Sequence, residues 1–193
     1  MSRWAIAVGV ALGLAVPVTV WGSTKMRLFD PSNLEAATRL SVVNDDVMGG
    51  HSTSGVAIED GAVVFSGVVR LDDGGGFASM RAELEETDLR PFEGIELVVR
   101  GDGRSYKLLV RDAVGREDVR YQARFETRAG ERHTHRLPFS RFEPRRRGRP
   151  VPDARPLDRG RIRQLGVLVS DAQAGEFRLE LLAVRAYAGS APE

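Results

Sequence analysis

Two stretches of the chain concentrate reactive or ligand-holding side chains: Asn44-Asp45-Asp46-Val47-Met48-Gly49-Gly50 and Asp73-Gly74-Gly75-Gly76-Phe77-Ala78-Ser79-Met80-Arg81. Both are polar and glycine-dense. Glycine reaches backbone angles that strain other residues, and Asp or Asn in such turns accepts bonds from nearby backbone N–H groups. The plainer reading is two tight connections between strands. The sharper reading is a binding site on loops held by a rigid scaffold. Carboxylates recur in these turns at Asp45, Asp46, Asp72, Asp73 and Asp102. Calcium takes about six to eight oxygens from loops of this kind, but the spacing matches no EF-hand. Carboxylates capping their own turns explain the pattern equally well. His133 and His135 stand two apart on an expected strand and so share a face. They begin a metal site without completing one, and a pair of exposed histidines at a sheet edge is the alternative. No cofactor and no metal is expected.

A third feature is basic. Arg141, Arg145, Arg146, Arg147 and Arg149 crowd one stretch. Guanidinium pairs bidentately with phosphate or carboxylate, so this loop, and Arg147 and Arg149 in particular, reads as a contact for an anionic partner or as a solvated loop. Nucleic acid is not the expected partner. Basic and acidic residues nearly balance, 28 against 27, and aromatics are not interleaved with the arginines.

Several chemistries are excluded. Gly50 and Gly55 have the spacing that opens a phosphate-binding loop, but Val56-Ala57 follows where Lys-Ser/Thr is required. No Gly-x-Ser-x-Gly elbow occurs. The chain has no cysteine, which removes disulfides, thiolate catalysis and Cys-based zinc. The chain reads as a non-enzyme.

The elements that must position these side chains are strands. Ile95/Leu97/Val99, Tyr106/Leu108/Val110 and Tyr121/Ala123/Phe125 alternate with polar residues, the mark of half-buried antiparallel strands. Arg39–Val43, Val56–Ile58, Ala62–Phe65, Val68–Leu71, Phe77–Leu84, His133–Leu137, Leu165–Val169 and Phe177 to Tyr187 read likewise. About ten short strands with turn signals between them predict an all-β sandwich. Residues 33–37 and 157–164 suit short helical turns. Residues 141–156 hold Pro144, Pro150, Pro152 and Pro156 and read as a long irregular loop.

The N-terminus differs in kind. Met1-Ser2-Arg3 precedes an uncharged, mostly apolar run from Trp4 to Trp21. Residues 1–22 therefore read as a short apolar helix, either a secretory signal or a membrane anchor. Residues 23–27 follow as a linker, 28–188 as one domain and 189–193 as a tail. The domain is expected outside the cytoplasm, periplasmic or tethered to the outer side of the cytoplasmic membrane.

The order of blocks resembles the complex I intermediate-associated protein 30 family. The first stretch with Ser52 is similar to the family's opening motif. Phe65-Ser66-Gly67 with Gly75 to Arg81 resembles its second block. Gly94-Ile95 leading to Arg100-Gly101-Asp102-Gly103-Arg104-Ser105-Tyr106 resembles its third, and Tyr121-Gln122-Ala123, Phe125, Leu137-Pro138-Phe139 and Phe142 its fourth. Arg147-Gly148-Arg149, Pro156-Leu157-Asp158, Leu165-Gly166 and Gly175-Glu176-Phe177 complete the order across residues 28–187. Where the family often has tryptophan, His133-Thr134-His135 stands here.

The resemblance implies a galactose-binding-domain-like jelly-roll β-sandwich and a non-catalytic, chaperone-like assembly factor for a respiratory membrane complex, with a protein client. A carbohydrate or small-ligand module is the other reading of that fold. Asp45, Asp46, Met48, Arg81, Asp102 and Arg104 recur in the matching blocks. They are the expected binding residues, with Asp45 or Asp46 set against Arg81 or Arg104 where the loops converge.

Overall fold

The computed structural model describes residues 25–30, 38–114 and 118–189. The expected leader helix, the helical turn at 33–37 and the end of the tail lie outside these residues. Alternation builds nearly everything that is described. The strands are β1 (Lys25–Phe29), β2 (Leu40–Asn44), β3 (Thr53–Glu59), β4 (Ala62–Val69), β5 (Ala78–Thr87), β6 (Gly94–Arg100) and β7 (Ser105–Asp112). They continue with β8 (Val119–Glu126), β9 (Arg132–Pro138), β10 (Glu143–Arg146), β11 (Arg149–Pro150), β12 (Ile162–Val169) and β13 (Gly175–Tyr187).

Among the described residues these strands form two antiparallel sheets. One runs β3-β4-β13-β6-β9, with β1 also on β13, and the other runs β11-β10-β8-β7-β12-β5-β2. Period-two side chains from both sheets meet in one apolar core: Phe65, Ile95, Leu97, Tyr106, Leu108, Phe125, Val167 and Leu179 are all buried. Phe65 and Phe177 pack edge to face with centroids 4.8 Å apart. Tyr106 stacks on Phe125 at 5.9 Å. Aromatic pairs in such geometries add to what their buried area contributes.

The structure corrects three expectations. The linker reading fails over residues 25–27, where β1 starts at Lys25 and pairs with β13. Lys25 holds it there: Nζ lies 2.8 Å from Glu96 Oε1. Glu96 is buried, and Arg136 and Arg185 approach the same carboxylate at 3.1 and 3.6 Å. Burial pushes the Glu96 carboxyl up, but bonds from Lys25 and Arg136 outweigh it and hold the group below the usual range.

The proline-rich stretch is not irregular throughout: β10 pairs with β8, and β11 folds back on β10. The hairpin closes through Arg147 and Gly148, whose φ values of 49° and 77° fit a two-residue hairpin turn. Pro144 and Pro150 sit at the sheet edge, where a missing N–H is tolerated. Residues 157–164 form no helix; the chain turns and enters β12 at Ile162.

Candidate functional site

Register places five connections at one end of the sandwich. Asn44 lies opposite Ala78, Ala78 opposite Val169, and Ser105 opposite Glu126. The loops that leave or enter at these positions (45–52, 70–77, 101–104, 127–131 and 170–174) therefore cluster.

Asp45 ties the first two together. Its side chain is fully buried and accepts four hydrogen bonds: from the Ser52 amide at 2.8 Å, the Ser52 hydroxyl at 2.5 Å, the Gly76 amide at 2.6 Å and the Phe77 amide at 3.2 Å. Burial alone would raise its pKa. The bonds from Ser52, Gly76 and Phe77 together win and hold the carboxyl below the ordinary aspartate range. A Cβ on Gly75 would stand 2.8 Å from Asp45 Oδ2, so this close approach requires glycine. The neighbours face the other way: Asp46 is exposed, Val47 is 69% exposed and Met48 56%. Leu71, on the second loop, is exposed as well and reaches over Gly76.

Asp102 and Arg104 serve a separate knot at the same end. The Asp102 carboxylate accepts from the Tyr106 hydroxyl at 3.0 Å and from the Arg178 amide at 2.9 Å. Arg104 donates to the carbonyls of Gln173 and Ala174 at 2.5 and 2.9 Å. The expected pairing of Asp45 or Asp46 with Arg81 or Arg104 is therefore not what the fold builds. Asp45 is saturated by local donors, and Arg104 is spent on the β12–β13 connection. Arg81 leaves β5 on the outer face of the seven-stranded sheet, cross-strand from Gly166. Arg147 and Arg149 lie elsewhere again. Their turn follows Arg146, which pairs with Val119 at the start of β8, so they project from the opposite end.

Sequence reasoning missed the outer face of that sheet. A cleft of about 500 Å³ opens there, lined by Lys107, Gln122, Arg124, Arg141, Glu143, Arg145 and Asp171. Four cations face two carboxylates. Asp171 bridges two of them, with Lys107 Nζ at 2.6 Å and Arg124 Nη1 at 3.0 Å. It does so from a left-handed backbone, φ 65°, followed by Ala172 at 57°. Two such residues in succession, one of them alanine, mark a strained turn at the rim of the cleft. Beside the cleft, Arg81, Arg111 and Arg120 lie half-buried on the same face. The signal for this site is spread one or two residues per strand, and only register collects it.

The two histidines sit on edge strand β9 but are half-buried, not exposed. His135 packs on Phe125 at 5.2 Å, and His133 Nε2 lies 2.9 Å from Glu131. Burial, then His133 and Arg141, push the His135 pKa down. Among the described residues no group of three or more His, Asp or Glu side chains is placed to hold a metal ion.

Two antiparallel sheets over one core, with a polar cleft on one outer face, are the architecture of an antiparallel β-sandwich. The family 11 carbohydrate-binding module of Clostridium thermocellum, solved with a β-1,3-1,4-mixed-linked tetrasaccharide, superposes with a TM-score of 0.62 at 15% identity, covering 88% of this chain and 98% of that one. An agarase superposes with a TM-score of 0.61 at 11% identity, covering 88% of this chain and 25% of that one. At these identities the likeness shows the fold alone. Sequence gives the family: the chain matches Complex I intermediate-associated protein 30 (CIA30) over residues 29–181 and belongs to it. An uncharacterized protein of Schizosaccharomyces pombe is 29% identical over 171 residues, 78% of each chain.

Proposed function

We propose that this domain is a non-catalytic, chaperone-like assembly factor that binds a protein client, a subunit of a respiratory membrane complex, and acts outside the cytoplasm on a galactose-binding-like jelly roll. One observation carries the reading. Buried Asp45 pins the Asn44–Gly50 loop so that Val47 and Met48 stand exposed instead of packing inward. A rigid loop presenting an adaptable apolar side chain is suited to anchor a protein partner at little cost in ordering. The family's name supplies the client class. The test is a photo-crosslinking residue at position 48, expressed in native membranes. A discrete adduct with one membrane-complex subunit is expected, lost when Val47→Asp is added and absent from position 59 on the outer edge of β3. No adduct, or equal adducts at both positions, would overturn the reading.

The cleft favours a second reading, a carbohydrate-binding module, because a sheet face with a groove can seat an extended glycan. No phenylalanine or tyrosine among the described residues is classed as exposed, so the ring on which a sugar would stack is not presented there. Titration with the mixed-linked tetrasaccharide decides it: saturable binding abolished by Gln122→Ala would establish this reading over the first.

A further inference from the structure

The tip of the β10–β11 hairpin carries two arginines that the fold does not use. Their neighbours are engaged: Arg145 pairs with Glu143 at 2.7 Å, and Arg146 Nη1 lies 3.7 Å from Asp118. Arg147 and Arg149 are exposed, and their side chains make no hydrogen bond or ion pair among the described residues. Arg146 stands directly opposite Arg149 across the hairpin. Like charges in that relation repel and destabilise the pair. Nothing in the packing of the tip calls for them, and an anion set against it would offset the repulsion.

The position of the tip says which anion. β13 ends at Tyr187, opposite both Lys25 and Gly94. The Glu93 amide donates to the Tyr187 carbonyl at 2.9 Å, in the loop that follows Thr87 at the end of β5. Thr87 lies opposite Ile162, and Ile162 opposite Asp112 at the end of β7. Val119, where β8 begins, lies opposite Arg146. Lys25 and the Arg147–Gly148 turn therefore share one end of the sandwich, and the loops bearing Met48 and Leu71 form the other. In sequence the uncharged run from Trp4 stops at Trp21, four residues before Lys25. Four residues reach at most about 14 Å even when fully extended. With that run in a bilayer, the end carrying Lys25 and the arginine tip stands at the lipid headgroups.

The charges agree with that orientation. Around Met48 the exposed side chains include Asp46, Asp72 and Asp73, which an anionic surface would repel. At the opposite end Asp88 and Glu86 are each held by an arginine, Arg90 at 2.7 Å and Arg161 at 2.8 Å.

We propose that Arg147 and Arg149 dock on the phosphates of an anionic phospholipid surface, standing the domain upright so that Met48 points away from the membrane. Guanidinium matches a phosphate by paired hydrogen bonds, and basic residues beside a membrane are drawn to its anionic lipids. The proposal rests on the reading of residues 4–21 as a retained anchor outside the cytoplasm.

The chain has no cysteine, so a single fluorescent reporter can be attached through Pro150→Cys, beside the tip, or through Met48→Cys. The full chain is reconstituted into phosphatidylcholine vesicles, with and without phosphatidylglycerol, that carry a quencher on the lipid headgroup. Quenching is expected at position 150, not at position 48, and it should grow with phosphatidylglycerol. Each arginine near an anionic surface favours the docked state by roughly fivefold, so Arg147→Gln with Arg149→Gln should lower the docked-to-undocked ratio on the order of 30-fold. Arg178→Gln, paired with Glu59 at 2.7 Å on the other sheet, should leave quenching as it is. If the double variant does not fold, loss of the quenching at high salt carries the same test. Equal quenching at both positions, quenching at 150 that phosphatidylglycerol does not increase, or an unaltered signal in the double variant would each overturn the proposal; the last two would leave the tip to an acidic protein. Flotation with phosphatidylcholine alone reports the apolar run, so a failed anchor shows there, while the phosphatidylglycerol dependence at position 150 still decides the tip.

Discussion

The Asp45 carboxylate accepts a hydrogen bond from the Gly76 amide at 2.6 Å across 31 residues of sequence. With Ser52 and Phe77 it makes one buried charge the joint between two glycine loops. Its neighbour Asp46 takes no part in this. Asp45→Ala strands several buried donors and is expected to cost about 3 kcal/mol or more. Asp46→Ala is expected to stay within about 0.5 kcal/mol. Urea melts of both variants check this; similar losses in the two would show that the loop is not held by Asp45.

Acid should release the same joint. The folded pKa of Asp45 lies below its unfolded value of about 3.9. The group therefore contributes fully above that pH, and its contribution is lost as pH falls through the lower, folded value. Melting temperature followed as pH falls through the unfolded value of about 3.9 and beyond should fall less steeply at its acid end in Asp45→Asn than in the unaltered chain. Parallel curves would assign the acid loss to other carboxylates.

Phe125 is buried between Tyr106 and His135, which approach it at 5.9 and 5.2 Å. Phe125→Ala removes contacts to both sheets and should cost ~3–5 kcal/mol. A loss under about 1 kcal/mol in denaturant melts would mean that this end of the core refills the cavity.

Arg81 should behave in the opposite sense. It is half-buried, unpaired and close to two like charges. Arg81→Met keeps the aliphatic stem and removes the charge. The variant should melt unchanged or up to ~1 kcal/mol higher. A clear loss of stability would make Arg81 a structural clamp.

The strands were legible because each hydrophobic alternation was long enough to define a face. Two were not. In β1 the inward residues Met26 and Leu28 are too few to stand out from Lys25 and Arg27, and its partner β13 lies at the far end of the chain. In β10 and β11 the prolines concealed an edge position that only tertiary context reveals. Asp45 and Asp46 look alike in sequence. What separates them is the missing Cβ at Gly50 and Gly75, each of which would collide with the Asp45 carboxylate. Arg81 drew notice as part of a glycine-rich block. Arg111 and Arg120 sit in ordinary alternating strands, where an outward arginine is unremarkable until the register brings it beside another.

Strand β13 is thirteen residues long and pairs with β1, β4 and β6. Among the described residues it is also the last strand in chain order. A growing chain can close the β3–β4 hairpin and the β6–β9 pair early, but among the described residues only β13 joins them. The ordering cost of those distant pairings is met late, so closure of that sheet waits for β13 to emerge. Until then β4 and β6 each present an unpaired edge, and the sheet is two pieces rather than one.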